Sequence, residues 1–113
     1  QNKLSEEPAI TVKFDEVKQM LKESNFSTVK HLPFKPSGIA VHPQNHQIYV
    51  IASVGKLLLI LSEAGDLLKV VPLPPDLFDQ PEGICFDNNG NLYIASEGKK
   101  SAAGLFVFER TSL

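Results

Sequence analysis

At 113 residues the chain is long enough for one domain or for part of one. A hydrophobic share of 42% suits a globular protein and excludes a disordered chain. The net charge of −2 offers no broad basic field, which excludes nucleic acid as a partner class. The longest apolar run, Leu57-Leu58-Leu59-Ile60-Leu61, is far too short to cross a bilayer as a helix, so no transmembrane segment is expected.

Residues 1–8 are polar and read as a flexible N-terminal segment. Ala9-Ile10-Thr11-Val12-Lys13-Phe14 is rich in β-branched residues and predicts a strand. Asp15 offers an N-cap to a short helix over Glu16–Glu23, with Val17, Met20 and Leu21 on one stripe and Asn25 at its stop. Phe26 to Leu32 returns to strand character before Pro33 and Pro36 end it. Four strands then follow in close succession: Ser37–Val41, Gln47–Ala52, Lys56–Leu61 and Leu67–Leu73. Turns at His42-Pro43-Gln44-Asn45, Val54-Gly55 and Ala64-Gly65-Asp66 separate them. Pro72, Pro74 and Pro75 limit the pairing of the fourth, which suits an outer edge. Three more strands are expected at Glu82–Phe86, Asn91–Ser96 and Gly104–Glu109.

The two groups of strands are one phrase written twice. Pro36-Ser37-Gly38-Ile39-Ala40-Val41 returns as Pro81-Glu82-Gly83-Ile84-Cys85-Phe86, and Ile48-Tyr49-Val50-Ile51-Ala52-Ser53 returns as Leu92-Tyr93-Ile94-Ala95-Ser96. A period of roughly 45 residues is that of a β-propeller blade, a four-stranded unit that buries its faces against copies of itself. The fold class is therefore all-β, built of antiparallel four-stranded blades with one short helix near the N-terminus. Residues 9–35 read as the end of a partial blade with the helix inserted, 36–76 as a complete blade, and 77–113 as a last blade lacking its outer strand. The total is about two and a half blades, a piece of a larger ring. Propellers commonly take the closing strand from the far terminus, because pairing it removes two exposed edges at once.

Three stretches carry a resemblance: Pro36 to Pro43, Ile48 to Ser53, and Gln80 to Ile84, followed by Gly90-Asn91-Leu92-Tyr93-Ile94-Ala95-Ser96-Glu97-Gly98. In this order they resemble the SdiA-regulated family of bacterial β-propeller proteins, and more loosely the NHL-repeat and gluconolactonase-like propellers. The resemblance covers about Phe26 to Arg110. It implies a ring of the six-bladed type and an exported protein, periplasmic or associated with the cell envelope.

In a blade, the residues opening the first strand share one face of the ring with the loop joining the second and third strands. That places Glu82 near Glu97, with Ser37 and Ser53 in the corresponding spots of the preceding blade, as a candidate ligand-binding set. Glu82 and Glu97 could hold a calcium ion, which takes several oxygen ligands, or work as an acid/base pair. The blander expectation has Glu82 accepting backbone N–H groups and Glu97 in solvent. Asp87-Asn88-Asn89-Gly90-Asn91 shares its spacing of oxygen-bearing side chains with a calcium loop, but Gly98 stands where the twelfth-position glutamate belongs. An Asn-Gly hairpin turn accounts for it. His42 and His46 are expected to be exposed turn residues, His31 to sit on an outer strand, and Cys85 to be a small packing residue. Tyr49 and Tyr93 occupy equivalent places, which argues for packing between blades. No catalytic residue set, phosphate-binding glycine loop or nucleophile elbow occurs.

The resulting expectation is a non-catalytic binding or scaffold propeller of the bacterial cell envelope, holding an unidentified protein or small molecule. The rival is a calcium-dependent, lactonase-like hydrolase. Exposed blade faces further predict self-association or cover by an N-terminal part of the propeller.

Overall fold

The computed structural model describes residues 5–23, 34–98 and 102–110. One helix, α1 (Phe14–Glu23), precedes seven strands. Strands β1 (Lys35–Val41), β2 (Ile48–Val54), β3 (Leu57–Leu61) and β4 (Leu67–Pro72) form one antiparallel sheet in chain order. Strands β5 (Pro81–Phe86), β6 (Leu92–Ser96) and β7 (Gly104–Phe108) form a second sheet ordered the same way. Hairpin follows hairpin from the inner strand outward, which is the plan of propeller blades. The chain is a fragment of a propeller, with three strands of the second blade among the described residues.

Turn chemistry sets the spacing. Gly55 and Lys56 both take positive φ, 100° and 50°, as a tight two-residue hairpin between β2 and β3 requires. The turn after β5 is closed by Gly90 at φ 86°, where a side chain would be strained.

Alternation along the strands divides the core in two. Val50, Leu57, Leu59, Leu61 and Val70 point to one side of the first sheet and pack with Val17 and Leu21 of α1. Tyr49, Ile51, Leu58 and Ile60 point to the other side and pack with Leu92 and Ile94 of the second sheet, with Phe78 wedged among them. All five residues of β3 are buried, because both faces of its sheet are covered. Phe106 lies against Phe78 at a centroid distance of 4.5 Å, extending this seam to the outermost described strand.

Two expectations change, and a third lies outside the described residues. No strand forms over residues 9–14; Ile10 and Val12 instead lay their side chains on the first sheet from an irregular segment. The helix begins at Phe14, not after Asp15: the Lys13 carbonyl accepts the N–H groups of Glu16 and Val17, and Asp15 stands in the first turn. Asp15 and Glu16 still complement the positive end of the helix from there. The expected strand at Phe26–Leu32, together with His31, lies outside the described residues, as do residues 1–4.

Candidate functional site

Two β-bulges build the face on which the sequence placed its candidates. In β1, Pro36 pairs with Ala52 and Gly38 with Ile51, leaving Ser37 out of register. In β5, Pro81 pairs with Ser96 and Gly83 with Ala95, leaving Glu82 out in the same way. Proline lacks the N–H a ladder needs, so it suits a position where the ladder breaks.

Ser37 uses its bulge to join the blades. Its hydroxyl reaches the Pro81 carbonyl at 3.0 Å and the Ile51 carbonyl at 3.4 Å, and accepts the Ser53 N–H at 3.1 Å. A hydroxyl has one proton, so the shorter contact, across the seam to Pro81, is the favoured one. Gly38 makes that approach possible. A methyl at Gly38 would lie 3.0 Å from the Glu82 carbonyl oxygen and 3.1 Å from both Ile51 and Ile84 side-chain atoms.

The second blade fastens the same corner differently. The Ser96 hydroxyl, on a buried residue, accepts the Gln80 N–H at 3.1 Å, and the Glu97 N–H donates to the Gln80 carbonyl at 2.9 Å. The Glu82 carboxylate takes the Gln80 side-chain amide at 3.4 Å, where backbone N–H groups were expected. Glu82 and Glu97 are both exposed and border one shallow depression of about 440 Å³, whose wall includes Gly83, Ala95 and Leu105. All four predicted residues thus fall along one rim, but in different roles. Ser37 and the Ser53 main chain are engaged in joining strands, although Ser37 is exposed, whereas the two carboxylates face solvent without joining the blades.

Calcium takes six to eight oxygen ligands. Among the described residues no third His, Cys, Asp or Glu joins Glu82 and Glu97, and the adjacent Gln80 and Pro81 carbonyls already accept protein donors. The donor set does not fit a calcium ion.

At the other end of the strands, His42 departs from expectation: it is buried, with 8% exposure. Its Nδ1 accepts the N–H groups of Gln44 at 3.2 Å and Asn45 at 3.4 Å. The ring lies 4.9 Å from Phe86 and 6.2 Å from Tyr49, centroid to centroid. Burial, reinforced by the Arg110 charge, holds its pKa below the usual histidine value. Asp87 occupies the equivalent position one repeat later and works in the same way, its Oδ1 accepting the N–H groups of Asn89 and Asn91, each at 2.9 Å. The side-chain bond from Asn91, followed by its backbone bond, holds the Asp87 carboxyl below its ordinary range. The sequence expected an exposed turn residue at position 42; the signal that points to a buried turn anchor is its alignment with Asp87 in the repeat.

His46 is exposed, beside the Glu63 carboxylate at 3.6 Å. Cys85 is exposed too, not packed, because among the described residues nothing covers its side of the second sheet. Tyr49 packs edge-on against Phe86 at 4.8 Å and so joins the blades as predicted. Its counterpart Tyr93 instead donates its hydroxyl to Asp87 at 3.2 Å.

None of the curated proteins matches the chain. Among solved structures, a luciferin-regenerating enzyme aligns with 77% of this chain and 29% of its own, at 19% identity and a TM-score of 0.48. The chain thus spans less than a third of that protein's length. The SdiA-regulated family matches residues 12–100, from the segment before α1 through the Glu97 loop, and the chain belongs to that family.

Proposed function

We propose that this segment is a non-catalytic binding and scaffold element, part of a propeller at the bacterial cell envelope. The placement at the envelope rests on the family resemblance alone. The observation that supports a binding role is the outer face of the second sheet. Leu105 and Val107 are 67% and 51% exposed there, beside exposed Cys85 and Ala95. Their counterparts one blade earlier are Leu58, Ile60, Ala40 and Ile51, and that face lies beneath the second sheet. A surface whose twin is covered within the same chain is suited to being covered. The occupant it matches is another blade-like sheet, which in a solution of this chain alone is a second copy. Sedimentation should therefore give a mass above 12.4 kDa that rises with concentration. The double variant Leu105→Glu, Val107→Lys should stay monomeric. A parent chain that remains monomeric at every concentration would remove this reading.

The hydrolase alternative needs several side chains gathered around one cation. Among the described residues no group of three ligating side chains forms around Glu82 and Glu97, so calcium at about 5 mM is expected to leave the melting temperature unchanged. A rise of several degrees would revive the alternative.

A further inference from the structure

The turns that follow β1 and β5 enclose a cavity of about 240 Å³ at the end of the sheets opposite to Ser37 and Glu82. Its polar wall is made by His42, Gln44, Asn45, Gln47, Tyr49 and Arg110, and among the described residues no carboxylate lines it. Because His42 Nδ1 accepts two main-chain N–H groups, it is unprotonated, and the proton of the neutral ring sits on Nε2. That nitrogen has no hydrogen-bond partner among the described residues, and neither does the Tyr49 hydroxyl. No polar side-chain atom sealed from solvent lacks a partner among them, so both groups keep access to solvent, and both residues line the cavity.

Gly90 forms the remaining wall. A methyl there would stand 3.2 Å from His42 Nε2 and 2.7 Å from Gln44 Oε1, so glycine keeps the space clear. The Gln44 amide is already donated to the Asn88 carbonyl at 2.7 Å and ties the two turns together. Arg110 is fixed at its main chain, where its N–H donates to Asn91 Oδ1 at 3.1 Å, and its charge is felt at His42. Among the described residues the cavity wall therefore carries the Arg110 side chain, an imidazole N–H and a phenol O–H as donors, with the Gln44 amide oxygen as an acceptor beside them and no carboxylate.

We propose that this cavity binds a small oxyanion, a carboxylate or phosphate group, held by Arg110 with His42 Nε2–H and Tyr49 O–H as its further donors. A guanidinium meets either anion through two parallel N–H groups, and donors already fixed by packing lose little freedom on binding. The site is distinct from the open sheet face, so it stands or falls independently of association.

The test is an NMR titration of the His42 imidazole in the full chain, with sodium phosphate in one arm and sodium acetate in the other. Sodium chloride at matched ionic strength is the control. The expected result is a saturable change at His42 and a rise of its apparent pKa in the presence of the anion, since a bound negative charge favours the imidazolium. Tyr49 and Arg110 are the other ionisable groups on the wall, and burial pushes the Tyr49 pKa up, away from the range in which His42 titrates. Arg110→Gln, at an exposed position, should weaken binding by about tenfold or more, and Tyr49→Phe should weaken it less while keeping the ring packed. Whichever ion saturates at lower concentration identifies the ligand group. A response that stays linear to about 50 mM in both arms, that chloride reproduces, or that Arg110→Gln leaves unchanged would overturn the proposal.

Discussion

Gly38 and Gly83 hold the same place in the repeated phrase, yet they meet different surroundings. A methyl on Gly38 would press on the Glu82 main chain and two isoleucines, whereas one on Gly83 would meet only the Ala95 methyl at 3.2 Å. Gly38→Ala should therefore cost about 1–3 kcal/mol by forcing the inner strands apart, and Gly83→Ala less than about 1 kcal/mol. Equal losses in urea midpoint for the two variants would contradict the seam described here. His42 makes a second residue-scale prediction. Its folded-state pKa lies below the unfolded value of 6.5, so the unfolded chain binds the proton more readily and stability rises with pH. The contribution is complete above about 6.5 and is lost as the pH falls below it. Asp87 adds a lower window, its contribution present above 3.8 and lost as the pH falls through its depressed value. Urea midpoints between pH 7.5 and 5.5 should thus decline, and His42→Gln should flatten that slope. The position of Ser37 was readable from the repeat, but its role was not, since that depends on a carbonyl 44 residues away in another sheet.

Strands and helix differ in how far the sequence exposed them. The first two strands of each blade were written twice, so their copies constrained one another, and across all seven strands boundaries shifted by only a residue or two. Ile10 and Val12 had no such check. They look like strand residues because β-branched side chains suit a half-buried surface, and here they meet that surface as covering residues without joining the ladder. The helix was recognisable from its stripe of Val17, Met20 and Leu21, while the sheet under it could be found only in three dimensions. Docking on that sheet is what makes Leu21 costly to remove. Leu21→Ala should destabilise by about 2–4 kcal/mol, against less than about 0.5 kcal/mol for the exposed Gln19→Ala. Similar melting temperatures for both variants would mean that α1 contributes little by packing.

At the scale of the whole molecule, two blades share one seam, and their remaining faces are treated unequally. On the first sheet α1 and the segment before it lie over β3 and β4, and among the described residues the inner strand stays bare, with Ile39 and Val41 more than half exposed. On the second sheet no described residue covers the outer side, where Cys85, Ala95, Leu105 and Val107 are exposed. That the fold would leave apolar faces exposed was legible in the count of strands, because a blade stabilises itself only against neighbours. Which of the two faces would be dressed by a helix was not, because nothing in the local pattern of residues 14–23 says where a helix will dock.

The helix gives this short row of sheets a polarity. Stacking can be extended past β5–β7, whereas at the other end it meets a lid already in place. Under the association proposed above, growth that is possible in one direction only would stop when two open ends meet, which favours closed pairs related by a two-fold axis over fibres.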